Sequence, residues 1–311
     1  MKLGLLFAGQ GSQKIGMGAD FYDQSAPFKN VFDQLPEELK TIAFEGPMEA
    51  LSDTRNTQPI MVAFAAGVMA ELKGHLEEAG LKPQMAAGLS LGEYSALHAA
   101  GVFDAETAIK LVTLRGQAMA DAAKGIDCKM SAVLGLDREI LAECCEEAAA
   151  FGAVSIANYN CPGQIVIAGV GPAVDKASEL AVERGAKRCM PLPVSGPFHT
   201  KFMEPAGEKL AEVFGSMSFG EMTFPVLFNA IGREKTEEES IADLLVKQVS
   251  SSVYFEDSIK AMAEAGVDTV IEIGPGKALS GFVRKTCKDI KVYNIETMED
   301  MEKVVQALKE A

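Results

Sequence analysis

The stretch "AAGLSLGEYSAL" (residues 86–97) decides how the rest of the chain is read. It runs small and apolar to Gly88, sets Ser90 between Gly88 and Gly92, and continues in helix-forming residues. Gly-x-Ser-x-Gly between a strand and a helix is the pattern of a nucleophile elbow, a tight turn that presents one hydroxyl at the carboxyl edge of a sheet. Glycines suit such a turn because the neighbouring backbone comes close, where a Cβ would collide. The same residues also fit an ordinary strand-to-helix turn with Ser90 as N-cap of a helix beginning near Leu91. Five residues leave both readings open, and the surrounding chain has to decide.

Outward from the elbow, apolar runs of strand length alternate with longer amphipathic stretches, the pattern of parallel strands joined by helices. "LGLLFAG" (3–9) reads as a buried strand, 58–80 as a helix and 84–89 as the strand entering the elbow, followed by helices at 91–100 and 105–123. Later, 224–231, 268–274 and 291–296 read as strands able to share the same sheet. Between the two groups the order changes. A strand in "KMSAVLGL", a helix from Asp137, a hairpin about "CPG" (161–163), a helix from Pro172 and a strand in "AKRCMPLPVS" spell βαββαβ, the split βαβ of ferredoxin-like domains. The expectation is therefore an α/β core, discontinuous over 1–124 and 196–311, carrying an inserted ferredoxin-like α+β subdomain at 125–195, with the site in the cleft between them.

Composition bounds the chemistry. The chain has 311 residues, 48% hydrophobic and 23% charged, as in an ordinary globular protein. No run is long and apolar enough to span a bilayer, and "MKLGLLFAGQGSQ" lacks a signal-peptide plan, so a cytoplasmic location and no membrane partner are expected. A net charge of −15 argues against nucleic acid. The six cysteines form no Cys-x-x-Cys pair and no histidine stands at metal spacing, so no metal site is expected and the cysteines read as small hydrophobes.

A serine hydroxyl needs an adjacent base, and only three histidines exist. His75 lies at a polar helix end and reads as solvated surface; His98, two turns beyond Ser90, reads as a structural histidine. His199 stands in the Pro/Gly-rich loop "LPVSGPFHTKFMEPAG", where the chain would re-enter the core, and such loops commonly carry chemistry. An acyl-transfer site also needs donors for the developing oxyanion. The N–H of Leu91 follows the nucleophile, and the backbone of Gln10, in the glycine-rich loop "FAGQGSQKIGMG", is the candidate second donor; that loop lacks the spacing of a dinucleotide or P-loop motif. Arg115 interrupts an apolar helical face, where it either snorkels or pairs, or clamps a substrate carboxylate.

At this point "FAGQGSQ", "GLSLGEYSAL", "LRGQAM", "NYNCPGQIVIAG", "VSGPFH" and "IEIGPGKALSGF" together resemble, in order and spacing over essentially the whole chain, the malonyl-CoA:acyl carrier protein transacylase family of type II fatty acid synthesis. The resemblance implies a hydrolase-like core and transfer of malonyl from malonyl-CoA to the phosphopantetheine thiol of acyl carrier protein by a ping-pong route. It makes Ser90 the acyl-carrying nucleophile, His199 its base, and Gln10 and Leu91 the oxyanion hole. Arg115 becomes the grip on the malonyl carboxylate. Gln248 supplies the main-chain carbonyl that orients the imidazole, and Asn160, Asn229 and Phe198 line the substrate site. No metal or other cofactor is implied, and a monomer is expected. Two residues depart from many relatives: Leu89 stands where histidine is common, and Phe198 stands where serine is common, as in malonyl-selecting domains of polyketide synthases. A polyketide-pathway acyltransferase, with malonyl or methylmalonyl selectivity, and a serine esterase or thioesterase remain the alternatives. Because the carrier is acidic like this chain, local basic clusters are needed for its approach, and Lys187 with Arg188, and Arg284, Lys285 and Lys288, are the candidates.

Overall fold

The computed structural model describes residues 1–310. The chain divides into two compact units, one of Met1–Gly116, Ser218–Leu227 and Lys260–Ala311, the other of Gln117–Met217 and Phe228–Ile259. The second unit contains the whole of 125–195 and extends beyond it, because the helices Glu204–Phe214 and Ile241–Ser250 pack together there.

In the first unit five strands pair in parallel, in the order Lys291–Ile295, Thr269–Ile273, Leu3–Phe7, Pro83–Gly88 and Val226–Phe228. The central strand Leu3–Phe7 is buried at every residue, as its continuous apolar run requires. The late strands expected at 268–274 and 291–296 thus join the early ones in one sheet. The helix read as 58–80 begins earlier, at Thr54, because the Asp53 carboxylate caps it by accepting the Arg55 N–H at 2.9 Å. Pro59 therefore lies inside the helix and not at its start.

Glu272 of the strand Thr269–Ile273 is fully buried, and its carboxylate accepts the N–H groups of Leu279 and Ser280 at 3.1 and 2.7 Å and the Ser280 hydroxyl at 2.5 Å. The segment "IEIGPGKALSGF" thus serves as an internal cap for the helix Ala278–Thr286, with burial raising the Glu272 pKa against these donors.

The second unit carries a sheet in the order Arg188–Pro191, Cys128–Leu134, Gln164–Val170, Val154–Cys161 and Val253–Tyr254. The first four are antiparallel neighbours, with the helices Arg138–Ala148 and Gly171–Glu183 between strands in sequence; the two-residue strand Val253–Tyr254 adds in parallel beside Asn158 and Tyr159. Its core includes Val133, Leu141, Cys144, Ile165, Ile167 and Val174. Cys144, Cys145 and Cys161 are buried, whereas Cys128, Cys189 and Cys287 are only partly so. All six are free thiols, and burial pushes that of Cys145 up to about 12. Among the described residues no helix is long and apolar enough to cross a membrane, and no cluster of potential ligands could hold a metal ion.

The elbow is where the first unit is tightest. A Cβ on Gly88 would stand 1.9 Å from the Gly92 carbonyl carbon, and one on Gly92 would stand 2.3 Å from the Phe7 carbonyl oxygen. Both obstacles are main chain and cannot swing aside. Gly88→Ala is accordingly expected to cost about 3 kcal/mol or more of stability, read as a lowered denaturation midpoint or loss of soluble protein.

Candidate active site

The strand Pro83–Gly88 leads into the helix Gly92–Ala99 through Leu89, Ser90 and Leu91. Ser90 has φ 53°, in the left-handed region that residues with a side chain seldom occupy. Among the described residues only one other non-glycine has a positive φ, and it is His199 at 61°. Such outliers persist only where the surroundings hold them, and they gather at functional sites.

Arg115 comes from the helix Ala105–Ala123 and is completely buried. Its Nη2 donates to Ser90 Oγ at 3.0 Å and its Nη1 to Gln58 Oε1 at 2.9 Å. The guanidinium carbon lies 5.6 Å from the ring centre of the buried Tyr94, within reach of a cation–π attraction. Burial pushes the Arg115 pKa down, opposed by Tyr94 and by the buried Glu93, but a guanidinium stays charged, so the elbow hydroxyl sits beside a poorly solvated cation. A carboxylate arriving beside the Ser90 hydroxyl could add a charge-assisted, bidentate partner to these contacts.

Gln10 follows the strand Leu3–Phe7, and its side-chain Nε2 donates to Thr54 Oγ1 at 3.0 Å. Leu91 is buried at the start of the elbow helix. Among the described residues neither backbone N–H is taken up by a protein acceptor.

In the second unit His199 is 5% exposed, and its Nδ1 lies 2.9 Å from the main-chain oxygen of Gln248. A carbonyl can only accept, so Nδ1 carries the proton and Nε2 keeps its lone pair. The His199 N–H donates to the Val249 carbonyl at 3.2 Å, so the helix Ile241–Ser250 fixes both the ring and the backbone of this residue. Asn229 is fully buried and accepts Gln248 Nε2 at 3.4 Å; it sits as a support for Gln248. Asn160 is 7% exposed, with an Oδ1 that has no protein partner. Phe198 is buried, and a Cβ on Gly196 would stand 2.8 Å from its ring.

The residues picked from the sequence thus form two groups. Ser90, Leu91, Gln10 and Arg115 lie in the first unit, and His199, Gln248, Asn229, Asn160 and Phe198 in the second. His98 is held by the Phe103 carbonyl, 2.9 Å from its Nδ1, and burial lowers its pKa, as befits a structural histidine. His75 differs from the solvated reading: it is about one-third exposed and its Nε2 lies 3.3 Å from Glu71, in a cavity it shares with the C-terminal helix Met298–Lys309. Sequence reasoning missed Gln58, Thr54 and Tyr94. For Thr54 and Gln58 the available signal was the polar run "TRNTQ" (54–58) ahead of the apolar run 59–70.

The chain matches the acyl transferase domain family over residues 5–308. It is 43% identical to the malonyl CoA-acyl carrier protein transacylase of Bacillus subtilis, over 99% of this chain and 98% of that protein. The crystal structure of the malonyl CoA-acyl carrier protein transacylase from Clostridium perfringens superposes with a TM-score of 0.92 at 42% identity, covering 100% of this chain and 98% of the other. A malonyl-transacylase solved in complex with its type II polyketide synthase acyl-carrier protein superposes with a TM-score of 0.93 at 35% identity, covering 99% and 100%. With a strained serine, a buried guanidinium at its hydroxyl and these full-length likenesses, the chain belongs to the acyl transferase family, among the malonyl CoA-acyl carrier protein transacylases.

Proposed function

We propose that this chain moves a malonyl group from malonyl-CoA to the phosphopantetheine thiol of acyl carrier protein, through a malonyl ester on Ser90. One observation carries the reading: the fully buried Arg115 donates to the elbow hydroxyl at 3.0 Å. A malonyl thioester has its free carboxylate one methylene away from the carbonyl under attack. A cation at the nucleophile therefore suits a short diacid, which exchanges a hydroxyl partner for a bidentate ionic one. Acetyl brings the guanidinium no counter-charge, and a site that holds a buried cation beside the nucleophile favours the donor that carries a carboxylate.

In the first half-reaction Ser90 Oγ bonds to the thioester carbon while its proton passes to His199 Nε2. The tetrahedral oxyanion takes the N–H groups of Gln10 and Leu91, then the carbon–sulfur bond breaks and the CoA sulfur receives the proton. The second half-reaction reverses these steps with the carrier thiol as attacker. Thioester becomes ester and then thioester again, without change of oxidation state, so the scheme calls for no metal or redox cofactor. Asn160 is assigned to polar groups of the bound acyl chain, Phe198 to the apolar wall beside His199, and Asn229 to holding Gln248. We read the first unit as the hydrolase-like core and 125–195 as a ferredoxin-like subdomain, supported by its strand order. The exposed Arg284, Lys285 and Lys288, and Lys187 with Arg188, remain the candidates for meeting an acidic carrier.

Intact-mass analysis after incubation with malonyl-, methylmalonyl- and acetyl-CoA, with and without carrier protein, tests this. Malonyl alone is expected to label Ser90 and to leave when the carrier is added. Arg115→Ala is expected to slow malonyl labelling by roughly a hundredfold or more and to narrow its preference over acetyl. Undiminished malonyl transfer in that variant would favour the esterase reading. Supplying fatty-acid and polyketide carriers side by side tells which pathway is served.

A further inference from the structure

The first turn of the helix Thr54–Glu78 touches both chemical features of the elbow. Thr54 is 1% exposed and its hydroxyl accepts the Gln10 side chain at 3.0 Å, while Gln58, one turn on and equally buried, accepts Arg115 Nη1 at 2.9 Å. Residues four apart on a helix lie on one face, so a single face reaches the loop after the first strand and the cation at Ser90. The main chain of the same turn is in contact too: a Cβ on Gly116, next to Arg115, would stand 2.7 Å from the Thr54 carbonyl oxygen. The loop has a second tie to this segment, from Gln13 Nε2 to Ser52 Oγ at 3.5 Å, and is braced internally by Ser12 Oγ donating to the Gly9 carbonyl at 2.8 Å.

We propose that Thr54 is a positioning residue for acyl transfer: its hydroxyl, by holding the Gln10 side chain, aims the Gln10 backbone N–H at the developing oxyanion, while Gln58 sets Arg115 separately. This rests on the assignment of Gln10 to the oxyanion hole made above. An N–H aids the transition state only if it is already aimed, because reorganising it during reaction forfeits the gain. The other ties of this glycine-rich loop hold its neighbours Gly9, Ser12 and Gln13, whereas the Thr54 contact is made by the side chain of Gln10 itself and so bears directly on the angle of its N–H. Thr54 and Gln58 then act on different quantities. Loss of the Thr54 hydroxyl slows acylation of every acyl donor alike, and loss of the Gln58 carbonyl changes the choice between donors.

The test is single-turnover acylation by malonyl-CoA and acetyl-CoA in Thr54→Val, Thr54→Ser, Gln10→Ala and the Thr54→Val/Gln10→Ala double variant, with Gln58→Leu alongside. Thr54→Val is expected to lower the acylation rate by roughly ten- to a hundredfold, a fraction of what losing a whole oxyanion donor costs. The KM for malonyl-CoA and the malonyl-to-acetyl ratio should stay as in the parent. Thr54→Ser restores most of the rate, and the double variant is no slower than Gln10→Ala, because both remove one contact. Gln58→Leu instead lowers the malonyl-to-acetyl ratio. A Thr54→Val rate within twofold of the parent, rate losses that multiply in the double variant, or equal damage from Thr54→Ser would overturn the proposal. If the parent protein itself fails to take up malonyl, the functional reading falls instead, so the two failures are distinct.

Discussion

Ser90→Ala is expected to lower malonyl transfer by roughly 100,000-fold, the scale on which removing the nucleophile of a coupled acyl-transfer site acts. No mass increment should form with malonyl-CoA. In the proposed mechanism the acyl group bonds to this hydroxyl, and the neighbours Leu89 and Leu91 offer only hydrocarbon in its place. The variant should nonetheless fold, since alanine and serine tolerate a φ of 53° about equally and the steric demands of the turn fall on Gly88 and Gly92. Arg115 keeps its bond to Gln58. An unchanged denaturation midpoint together with absent labelling is therefore the expected pair of results. Residual labelling at the parent's rate would move the acyl group to another residue.

His199→Ala is expected to slow acylation by about a thousandfold or more, at the upper part of the range for a general base and short of losing the nucleophile. The ring is oriented before substrate arrives: its Nδ1 proton is committed to the Gln248 carbonyl at 2.9 Å, which sets Nε2 as the nitrogen that would take a proton in the proposed mechanism. The partner is a neutral carbonyl and not a carboxylate, so its contribution on this reading is orientation of the ring. Two comparisons separate this from simple damage to the fold. Added imidazole should recover part of the rate in His199→Ala, and Gln248→Ala, which keeps the carbonyl, should cost far less than His199→Ala. Equal losses in the two variants would mean that the Gln248 side chain, through Asn229, matters more than its main chain.

The elbow could be read from the sequence because its glycines encode a steric fact: two positions where main chain meets main chain. The alternation of strands and helices was legible for a similar reason, since a strand such as Leu3–Phe7, covered on both faces, must be apolar throughout. The Gln248 carbonyl was a different matter. Every residue has a carbonyl, so no side-chain chemistry marks the one that faces an imidazole, and only the resemblance pointed to it. Thr54 and Gln58 escaped notice because their partners are remote in sequence, Gln10 and Arg115, and because polar residues at a helix start are usually caps. The extension of the second unit beyond 195 was hidden because its helices Glu204–Phe214 and Ile241–Ser250 are separated in sequence by the strand Val226–Phe228 of the other sheet.

The place of Leu3–Phe7 in its sheet bears on how the protein is made. This strand pairs on one side with Pro83–Gly88 and on the other with Thr269–Ile273, far later in the chain. Its second edge therefore stays open until residue 273 has emerged, an apolar template for unwanted strand addition up to that point. A chain released before that point would leave the sheet that carries Ser90 with a bare flank.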